Sequence, residues 1–269
     1  MQSSGLRVIH PVYYANDLVY PFIHALKLAQ ASGGELEIVD VRTKPEATEY
    51  IGVRSVLEQW KVLPAGSFRS DVAQTGLRVK KVVREGNKRK VIERRFEKHQ
   101  HDLMVLGVPD NQTNRFSFNG VAGHLAHSFG NMTLFVPSLG RAFVDEHTGE
   151  ISLRTVLIPV ADQIFYDAAV GALADLLRYL PISVENIIML HTGNDFPPLQ
   201  QNKQFKHQCR EFLARKPLVD AIVNTSELQD VDLIVMATKG RSSIVQKFTG
   251  SNTEQVVRKL PCPLLYVSM

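Results

Sequence analysis

An internal repeat constrains the fold of this chain more than any other feature of its sequence. Residues 101–107 read HDLMVLG and resemble residues 231–237, which read VDLIVMA. Residues 131–136 match residues 261–266 at the same offset of 130 positions. Self-similarity at a fixed offset is the signature of a duplicated structural unit. The sequence therefore predicts two copies of one unit within the chain.

The two copies differ in length. Near the start of each half, Val8–Val12 resembles Leu157–Val160 at an offset of 148, which places 18 extra residues in the middle of the first half. Between the copies, apolar segments flank the polar residues 145–150, a pattern typical of a β-hairpin. The chain divides into a first domain at 1–140, a hairpin-like join at 141–154 and a second domain at 155–269.

Each copy alternates predicted strands with predicted helices. In the first half, apolar β-branched runs predict strands at Leu6–Val12, Leu36–Val41, Arg78–Val83, Asp102–Val108 and Thr133–Val136. Helical spacing predicts helices at Val19–Ala31, Val53–Leu63, Lys88–Gln100 and Val121–Ser128. Strands that are apolar throughout and joined by helices are typical of a parallel sheet covered on both faces. The predicted fold class is therefore α/β, with two tandem doubly wound domains.

The same patterns apply to the second half, where one connection is shorter. They predict strands at Thr155–Val160, Asn186–His191, Leu218–Val223, Asp232–Ala237 and Leu264–Val267. They predict helices at Asp167–Tyr179, Leu199–Arg215 and from Ser251 to about Leu260. Only ten residues lead from Val223 to Leu233, which leaves room for little more than a turn. We therefore expect the second half to lack the helix before its fourth strand.

The loop after that fourth strand has the strongest pattern for ligand binding. Met236–Arg241 follows the strand, and Gly250–Glu254 opens the next helix. Parallel sheets bind ligands at the carboxyl ends of their strands, and a helix N-terminus attracts anions. Lys239 and Arg241 could neutralise phosphate charge. An alternative stays open, in which Gly250 is an ordinary loop residue and Ser251 only caps the helix.

These residues resemble the universal stress protein family. The resemblance rests on a small residue at Ala237, followed by Gly240, Gly250 and Ser251 at the family's spacing, and on the sequence PCPLLYV that ends the chain. It covers nearly the whole chain and implies two tandem domains, each with a five-stranded parallel sheet of order 3-2-1-4-5. Many family members bind ATP, with Mg²⁺, or AMP at this loop, and others bind no nucleotide. The resemblance makes no cofactor obligatory.

The resemblance also implies a set of nucleotide-binding residues in the second half. Gly240, Gly250 and Ser251 would hold phosphates, Asn252 would add its backbone amide, Met236 and Ala237 would line the ribose and adenine, and Thr192 would contact adenine through its backbone. Two positions differ from the family pattern. Ala237 replaces the first glycine, and Ala161 stands where the family has a nucleotide-binding aspartate, a role that we assign to the adjacent Asp162. The predicted cofactor site is Asp162, Thr192, Met236, Ala237, Gly240, Arg241, Gly250, Ser251 and Asn252.

The first half differs further from the binding pattern. Asp110 stands where a glycine would meet phosphate, and its charge would repel the ligand. Pro109 removes a backbone N–H, and Val121 replaces the serine hydroxyl. Tyr13 would fill the space for adenine. We therefore predict that the first half binds no nucleotide.

Charge and composition limit the partners. Ten Lys/Arg and three Glu lie between Arg78 and Lys98, a local balance of +7 within a chain of net charge +4. The rest of the chain carries −3, which argues against a general nucleic-acid binder and favours a solvated basic helix face. No apolar run approaches the roughly 18 residues that span a membrane. Two cysteines form no disulfide framework, so we expect a cytoplasmic protein.

Three functions remain open from the sequence. The chain could be a stress-associated regulator that binds an adenine nucleotide, an interaction module that binds none, or a slow ATP hydrolase. No nucleophile, paired carboxylate or metal-ligand spacing of motif quality is present, and His124 and His127 find no third ligand nearby. We therefore expect no enzyme and no metal site. The apolar fifth strands of the two halves, Thr133–Val136 and Leu264–Val267, predict a pseudo-dimer within one chain, with a homodimer as the alternative.

Overall fold

The computed structural model describes residues 5–12, 19–42, 52–109, 121–238 and 252–269. These residues form one ten-stranded sheet with helices on both faces. Its strands are β1 (Arg7–Val12), β2 (Glu35–Arg42), β3 (Arg78–Glu85), β4 (Leu103–Val108), β5 (Met132–Pro137), β6 (Thr155–Pro159), β7 (Asn186–His191), β8 (Cys209–Leu213), β9 (Leu233–Thr238) and β10 (Leu264–Ser268). The helices are α1 (Val19–Ala31), α2 (Val53–Gln59), α3 (Lys88–Lys98), α4 (Val121–Phe129), α5 (Gln163–Leu177), α6 (Leu218–Leu228) and α7 (Asn252–Arg258), with a 3-10 helix at Arg69–Thr75.

The strand order is the same in both halves. It runs β3-β2-β1-β4-β5 and then β10-β9-β6-β7-β8, so each half has the order 3-2-1-4-5. All neighbours within a half are parallel, and β5 pairs with β10 in the antiparallel direction. The predicted α/β class with doubly wound units is confirmed. The two fifth strands pair within one chain, and the number of chains in the assembly stays a prediction.

Two elements of the second half differ from the sequence prediction. The predicted third strand at Leu218–Val223 is the start of α6, and the third strand is β8, inside the predicted helix at Leu199–Arg215. Consequently the second half keeps the helix before its fourth strand. Among its described residues, it has no helix between its second and third strands, where the first half has α2.

Each face of the sheet has its own apolar core. One core packs α1, α2, the join and α5 on one face, and the other packs α3, α4, α6 and α7 on the opposite face. Because the two cores each run across both halves, the β5–β10 junction is buried on both sides. Leu134 and Leu265 belong to the first core, and Phe135 and Tyr266 to the second.

The join is a short turn held against the first half. Val144 and Ile151 form an antiparallel bridge, and Asp145 Oδ1 accepts hydrogen bonds from His147 N and Thr148 N. Trp60 Nε1 donates to Glu146 O at 3.0 Å. The sequence predicts a hairpin here, and a single bridge closed by this turn is what the structure contains.

None of the helices that the structure describes is long and apolar enough to cross a membrane. The basic segment forms the edge strand β3 and the helix α3, where most of its cationic side chains are exposed. Arg95 is an exception, because its guanidinium forms an ion pair with the buried Glu37.

Candidate functional site

The candidate site lies at the carboxyl edge of the sheet in the second half. There, β7, β6 and β9 are neighbours, and the chain leaves β6 between the other two strands. This is the switch point of the sheet, where adjacent connections cross to opposite faces and leave a crevice. Thr192 follows β7 and Asp162 follows β6. Ala237 lies near the carboxyl end of β9. The sheet therefore brings these three predicted residues to one edge.

Asp162 is the N-cap of α5. Its Oδ1 accepts hydrogen bonds from Ile164 N at 2.9 Å and from Phe165 N at 3.2 Å. Both Asp162 and the preceding Ala161 are exposed. A carboxylate at this position satisfies two free N–H groups and complements the positive helix end. Asp162 thus has a structural role in addition to any contact with a ligand.

His191 fixes the loop that carries Asp162. Its Nδ1 donates to Val160 O at 2.8 Å, and Val160 N donates to Leu190 O at 2.8 Å. The ring packs edge-on against Phe196, and a Cβ built on Gly193 would lie 2.5 Å from Nε2. His191 is half-buried and hydrogen-bonded. A side chain at position 193 would clash with the His191 ring, which explains the glycine at this position.

The end of β9 rests on the neighbouring strand. Met236 is buried and Ala237 is half-buried. Thr238 Oγ1 donates to Tyr266 Oη at 3.0 Å, and Thr238 O accepts from Met269 N at 2.9 Å. The small residue at 237 therefore lies near a strand end that Tyr266 and Met269 hold in place through Thr238.

The helix α7 begins at Asn252, which is exposed at the same edge. Glu254 is buried and its carboxylate accepts from Arg258 Nη2 at 2.8 Å. Gly240, Arg241, Gly250 and Ser251 lie outside the described residues. Their assignment to phosphate binding thus stays a prediction from the sequence.

The corresponding edge of the first half has a different interior. His10 is fully buried in β1, and its Nδ1 donates to Val105 O at 3.0 Å. Burial lowers the pKa of His10 to about 4, so the ring is neutral in the folded protein near pH 7. Pro109 is buried after β4. Tyr13, Asp110 and Gly120 lie outside the described residues.

Within the described residues, no group of three metal-ligating side chains is present. His124 Nε2 instead lies 2.8 Å from Glu93 Oε1, so its partner belongs to the neighbouring helix α3.

The first half contains a buried ionic cluster that the sequence patterns did not predict. Glu37 lies on β2, almost fully buried, with its carboxylate paired to Arg95 and 3.3 Å from His101 Nε2. Burial alone raises the pKa of Glu37, but the hydrogen bonds from His101 and Arg95 outweigh it and lower the pKa to about 2. Charge within an otherwise apolar predicted strand is the signal that could have revealed the cluster, because a buried carboxylate needs partners.

The comparisons with known proteins agree with this architecture. No curated protein matches the chain. A universal stress protein from Archaeoglobus fulgidus DSM 4304 shares 13% identity at a TM-score of 0.65, with 97% of this chain and 98% of that chain covered. A protein of unknown function from Pseudomonas aeruginosa PAO1 shares 12% at a TM-score of 0.62, with 98% and 92% covered. A protein from Pseudomonas aeruginosa UCBPP-PA14 that is assigned to the universal stress proteins shares 12% identity at a TM-score of 0.61. The match covers 98% of this chain and 93% of that chain.

These structural likenesses span both halves and show a shared fold. The sequence of residues 200–268 also matches the model of the Universal stress protein family. That segment contains β8, α6, β9, α7 and β10, including the strand that leads into the candidate loop. Residues 200–268, which make up most of the second half, are therefore similar in sequence to the universal stress protein family.

Proposed function

We propose that this protein is a universal stress protein-like regulator that binds one adenine nucleotide, ATP with Mg²⁺ or AMP, in its second half. The observation that supports the proposal best is the convergence of Asp162, Thr192 and Ala237 at the switch point of the sheet. The loop that follows β9 carries the glycines and the serine of the family's nucleotide-binding pattern.

In the proposed complex, each group has a defined task. The backbone of Thr192 and the exposed carboxylate of Asp162 would face the nucleoside, and Ala237 would leave room for the ribose. The backbone N–H groups around Gly250 would donate hydrogen bonds to the phosphates at the start of α7, with Arg241 supplying positive charge.

The proposal makes the two halves unequal. The first half has Pro109 where the loop would need a backbone donor, and its sequence places Asp110 beside the phosphates. A carboxylate next to a phosphate repels it, which costs Coulomb energy. One nucleotide per chain is therefore the expected stoichiometry.

The first test is mass spectrometry of the nucleotide released when freshly purified protein is denatured, followed by calorimetric titration with ATP and AMP. We expect one site per chain. Gly250→Asp should abolish binding, whereas the matched change in the first half, Gly120→Asp, should leave it unchanged. Two sites per chain, or equal binding by both variants and the wild type, would contradict the proposal.

The interaction module without nucleotide is the second candidate. Asp162 is already engaged with two N–H groups of α5, which is what a purely structural N-cap would show. In that case neither release nor titration detects a nucleotide, although the protein is folded. A slow hydrolase would be distinguished by ADP that accumulates in proportion to protein concentration during incubation with ATP.

A further inference from the structure

The strand β3 forms one end of the ten-stranded sheet, so within the described residues only one of its sides has a neighbouring strand. Arg78 N and Gly86 N donate to backbone carbonyls at the two ends of β2, at 2.9 and 3.4 Å. The register with β2 is unbroken between these two bonds, and backbone groups alternate in direction along a strand. The N–H and C=O groups of Val79 and Val83 therefore point away from β2.

The side chains beside these groups leave the edge open. Val79 and Val83 are 38% and 40% exposed, and Lys80 and Lys81 between them are exposed too. Val83 O accepts a hydrogen bond from Arg84 Nη1 at 2.8 Å, which leaves a second lone pair of this carbonyl for a further donor. A row of outward backbone groups beside exposed apolar side chains is a template for another strand.

The charge of β3 indicates which kind of strand could pair with it. The strand carries four cations, at positions 78, 80, 81 and 84, and one carboxylate, Glu85. Arg78 is paired with Glu35 of β2 at 3.5 Å. Lys80 and Arg84, in contrast, form no ion pair with any residue that the structure describes. The edge therefore offers two cations to a carboxylate from outside.

Lys80 lacks a partner although a carboxylate lies next to it. It stands opposite Glu37 in the register with β2, but the Glu37 carboxylate is engaged by Arg95 and by His101 Nε2 at 3.3 Å. The pKa of His99, which ends α3, is lowered mainly by desolvation and further by nearby positive charges, that of Lys80 included. The unpaired ammonium of Lys80 thus lies beside the end of α3.

The helix α3 adds positive charge to this side of the molecule. Lys90, Arg94 and Lys98 recur every four residues on its exposed face, about 6 Å apart along the axis, and Glu97 lies among them. None of the three cations forms an ion pair within the described part of the chain. Like charges at this spacing repel each other, so an anionic partner would relieve the repulsion.

The opposite end of the sheet has no such excess of charge. Its edge strand β8 carries one cation and one carboxylate, Arg210 and Glu211. Arg210 Nη2 donates to Gln229 Oε1 at 2.7 Å. An acidic segment is therefore expected to select β3 rather than β8.

We propose that the outward edge of β3 binds an extended acidic segment of a partner protein as an additional strand. Side chains alternate along β3, so Lys80 and Arg84 lie on the face that carries α3, and Val79 and Val83 lie on the other. The partner segment would alternate in the same way, with carboxylates beside the two cations and apolar side chains over the two valines. Five strands separate β3 from β9, so this surface is independent of the proposed nucleotide site.

A nucleic acid or an anionic membrane would meet the same charges, but neither could complete the alternating row of N–H and C=O groups on β3. The backbone is therefore the feature to test. Val83→Pro removes an outward N–H and leaves the bonds to β2 in place. Val83→Thr is its matched control, because it keeps both the N–H and the β-branched shape. Lys80→Gln removes one charge at the edge, and Lys203→Gln removes an exposed charge in the second half.

The probe is a fluorescent heptapeptide of sequence EVEVEVE, titrated into the full chain at low ionic strength with anisotropy as the readout. The control peptide KVKVKVK reverses the charge. The control peptide EVEPEVE keeps all four carboxylates but interrupts the strand. A fluorescent single-stranded oligouridylate and phosphatidylserine vesicles are titrated in parallel, as probes of the other two classes of polyanion.

We expect saturable binding of EVEVEVE by the wild type, Val83→Thr and Lys203→Gln. Val83→Pro should weaken binding about tenfold or more while its thermal melt stays cooperative, and Lys80→Gln should weaken it about two- to fivefold. Both control peptides should bind poorly. The proposal is wrong if the wild type shows no saturable binding, or if EVEPEVE binds as well as EVEVEVE, since charge alone would then suffice. Tighter binding of the oligouridylate or the vesicles than of the peptide also overturns it.

Discussion

Leu134 of β5 and Leu265 of β10 lie directly opposite each other in the antiparallel pair that joins the two halves. Each is fully buried in the same apolar core. Because their neighbours Phe135 and Tyr266 both face the opposite core, the pair marks the point where the pseudo-two-fold axis crosses the sheet. The packing of one leucine on the other thus contributes to joining two units of the same strand order into a single sheet.

The first prediction concerns this pair. Leu265→Ala should destabilise the protein by about 2–5 kcal/mol, because it leaves a cavity beside Leu134 that the sheet cannot close. The subunit number measured by light scattering should not change, since the pairing is internal. Leu213→Ala on the exposed edge strand β8 is the control and should cost about 0.5 kcal/mol or less. A dimeric wild type that Leu265→Ala converts to folded monomers would contradict internal pairing.

The register at this junction shows how far the repeat predicts the fold. The sequence aligns residues 131–136 with 261–266 at an offset of 130. In the sheet, Met104 pairs with Thr133 and Ile234 pairs with Leu264, so Thr133 corresponds to Leu264 at an offset of 131. A shift of one residue in a strand exchanges its two faces. The apolar runs predict the strands, but they are buried on both faces and so carry no alternation that would set the register.

The repeat itself contains the information that the local patterns missed in the second half. Adding 130 to the bounds of α3, Lys88 and Lys98, gives 218 and 228, which are the bounds of α6. The run at 218–223 is apolar and β-branched enough to predict a strand, yet its buried residues recur at Val219, Ile222 and Ser226, a helical spacing. The strand β8 is an edge strand with mostly exposed residues, so it has little apolar signal.

The sequence predicts where the candidate site lies in the fold, but it does not predict the side-chain contacts within the site. Parallel strand order alone brings residues 162, 192 and 237 to one edge. By contrast, the hydrogen bond from His191 to Val160 O and the capping of α5 by Asp162 depend on side-chain geometry that no spacing encodes. The same is true of the contact between Trp60 and the join, which links residues 86 positions apart.

The second prediction separates the two roles of Asp162. Asp162→Ala should cost about 1 kcal/mol of stability, since the N–H groups of Ile164 and Phe165 lose their acceptor. Asp162→Asn should leave stability nearly unchanged, because asparagine is an equally good N-cap. If Asp162 also contacts the nucleotide, both variants should bind ATP more weakly. If Asp162→Asn and the wild type bind ATP with equal affinity, Asp162 has only its capping role.

The third prediction tests the contact between the join and Trp60. Gly149 has φ +67°, and a Cβ built there would lie 2.5 Å from the indole ring. Gly66 also has a positive φ of +78°, but a Cβ there meets nothing within 4 Å. Gly66→Ala should therefore cost about 1–2 kcal/mol for the backbone alone, and Gly149→Ala a further ~1–3 kcal/mol for the clash. Equal costs in chemical denaturation would show that the indole moves freely.

The fourth prediction concerns the buried carboxylate of Glu37. Arg95→Leu should destabilise the protein by about 3–5 kcal/mol near pH 7, because it leaves a buried charge without one of its two partners. Arg94→Leu, on the exposed part of the same helix, should change stability by about 0.5 kcal/mol or less. The folded pKa of Glu37 is about 2, below the unfolded value, so the stabilisation is present above about pH 4.5 and is lost as the pH falls toward 2. The wild type should lose this stabilisation as the pH is lowered, and Arg95→Leu should lose less of it.

The last prediction concerns His24, which lies in the core beneath the join. Its Nδ1 donates to Tyr20 O at 2.7 Å, and its Nε2 is buried without a hydrogen-bond partner. Burial lowers the pKa of His24 to about 4, against 6.5 for the unfolded chain. Between these pH values the histidine binds a proton in the unfolded chain but not in the folded protein. The free energy of unfolding therefore falls as the pH falls from 6.5 to 4. The loss from His24 approaches about 3 kcal/mol at the lower limit.

His24→Leu removes this proton uptake and also the buried unpartnered nitrogen. The variant should therefore lose less stability than the wild type when urea denaturation at pH 7 is compared with that at pH 5. The remaining decrease should come mainly from His10, whose pKa is also lowered to about 4 by burial. His147→Gln changes an exposed histidine in the join and should keep the wild-type profile. A His24→Leu profile parallel to that of the wild type would mean that His24 does not stay neutral on folding.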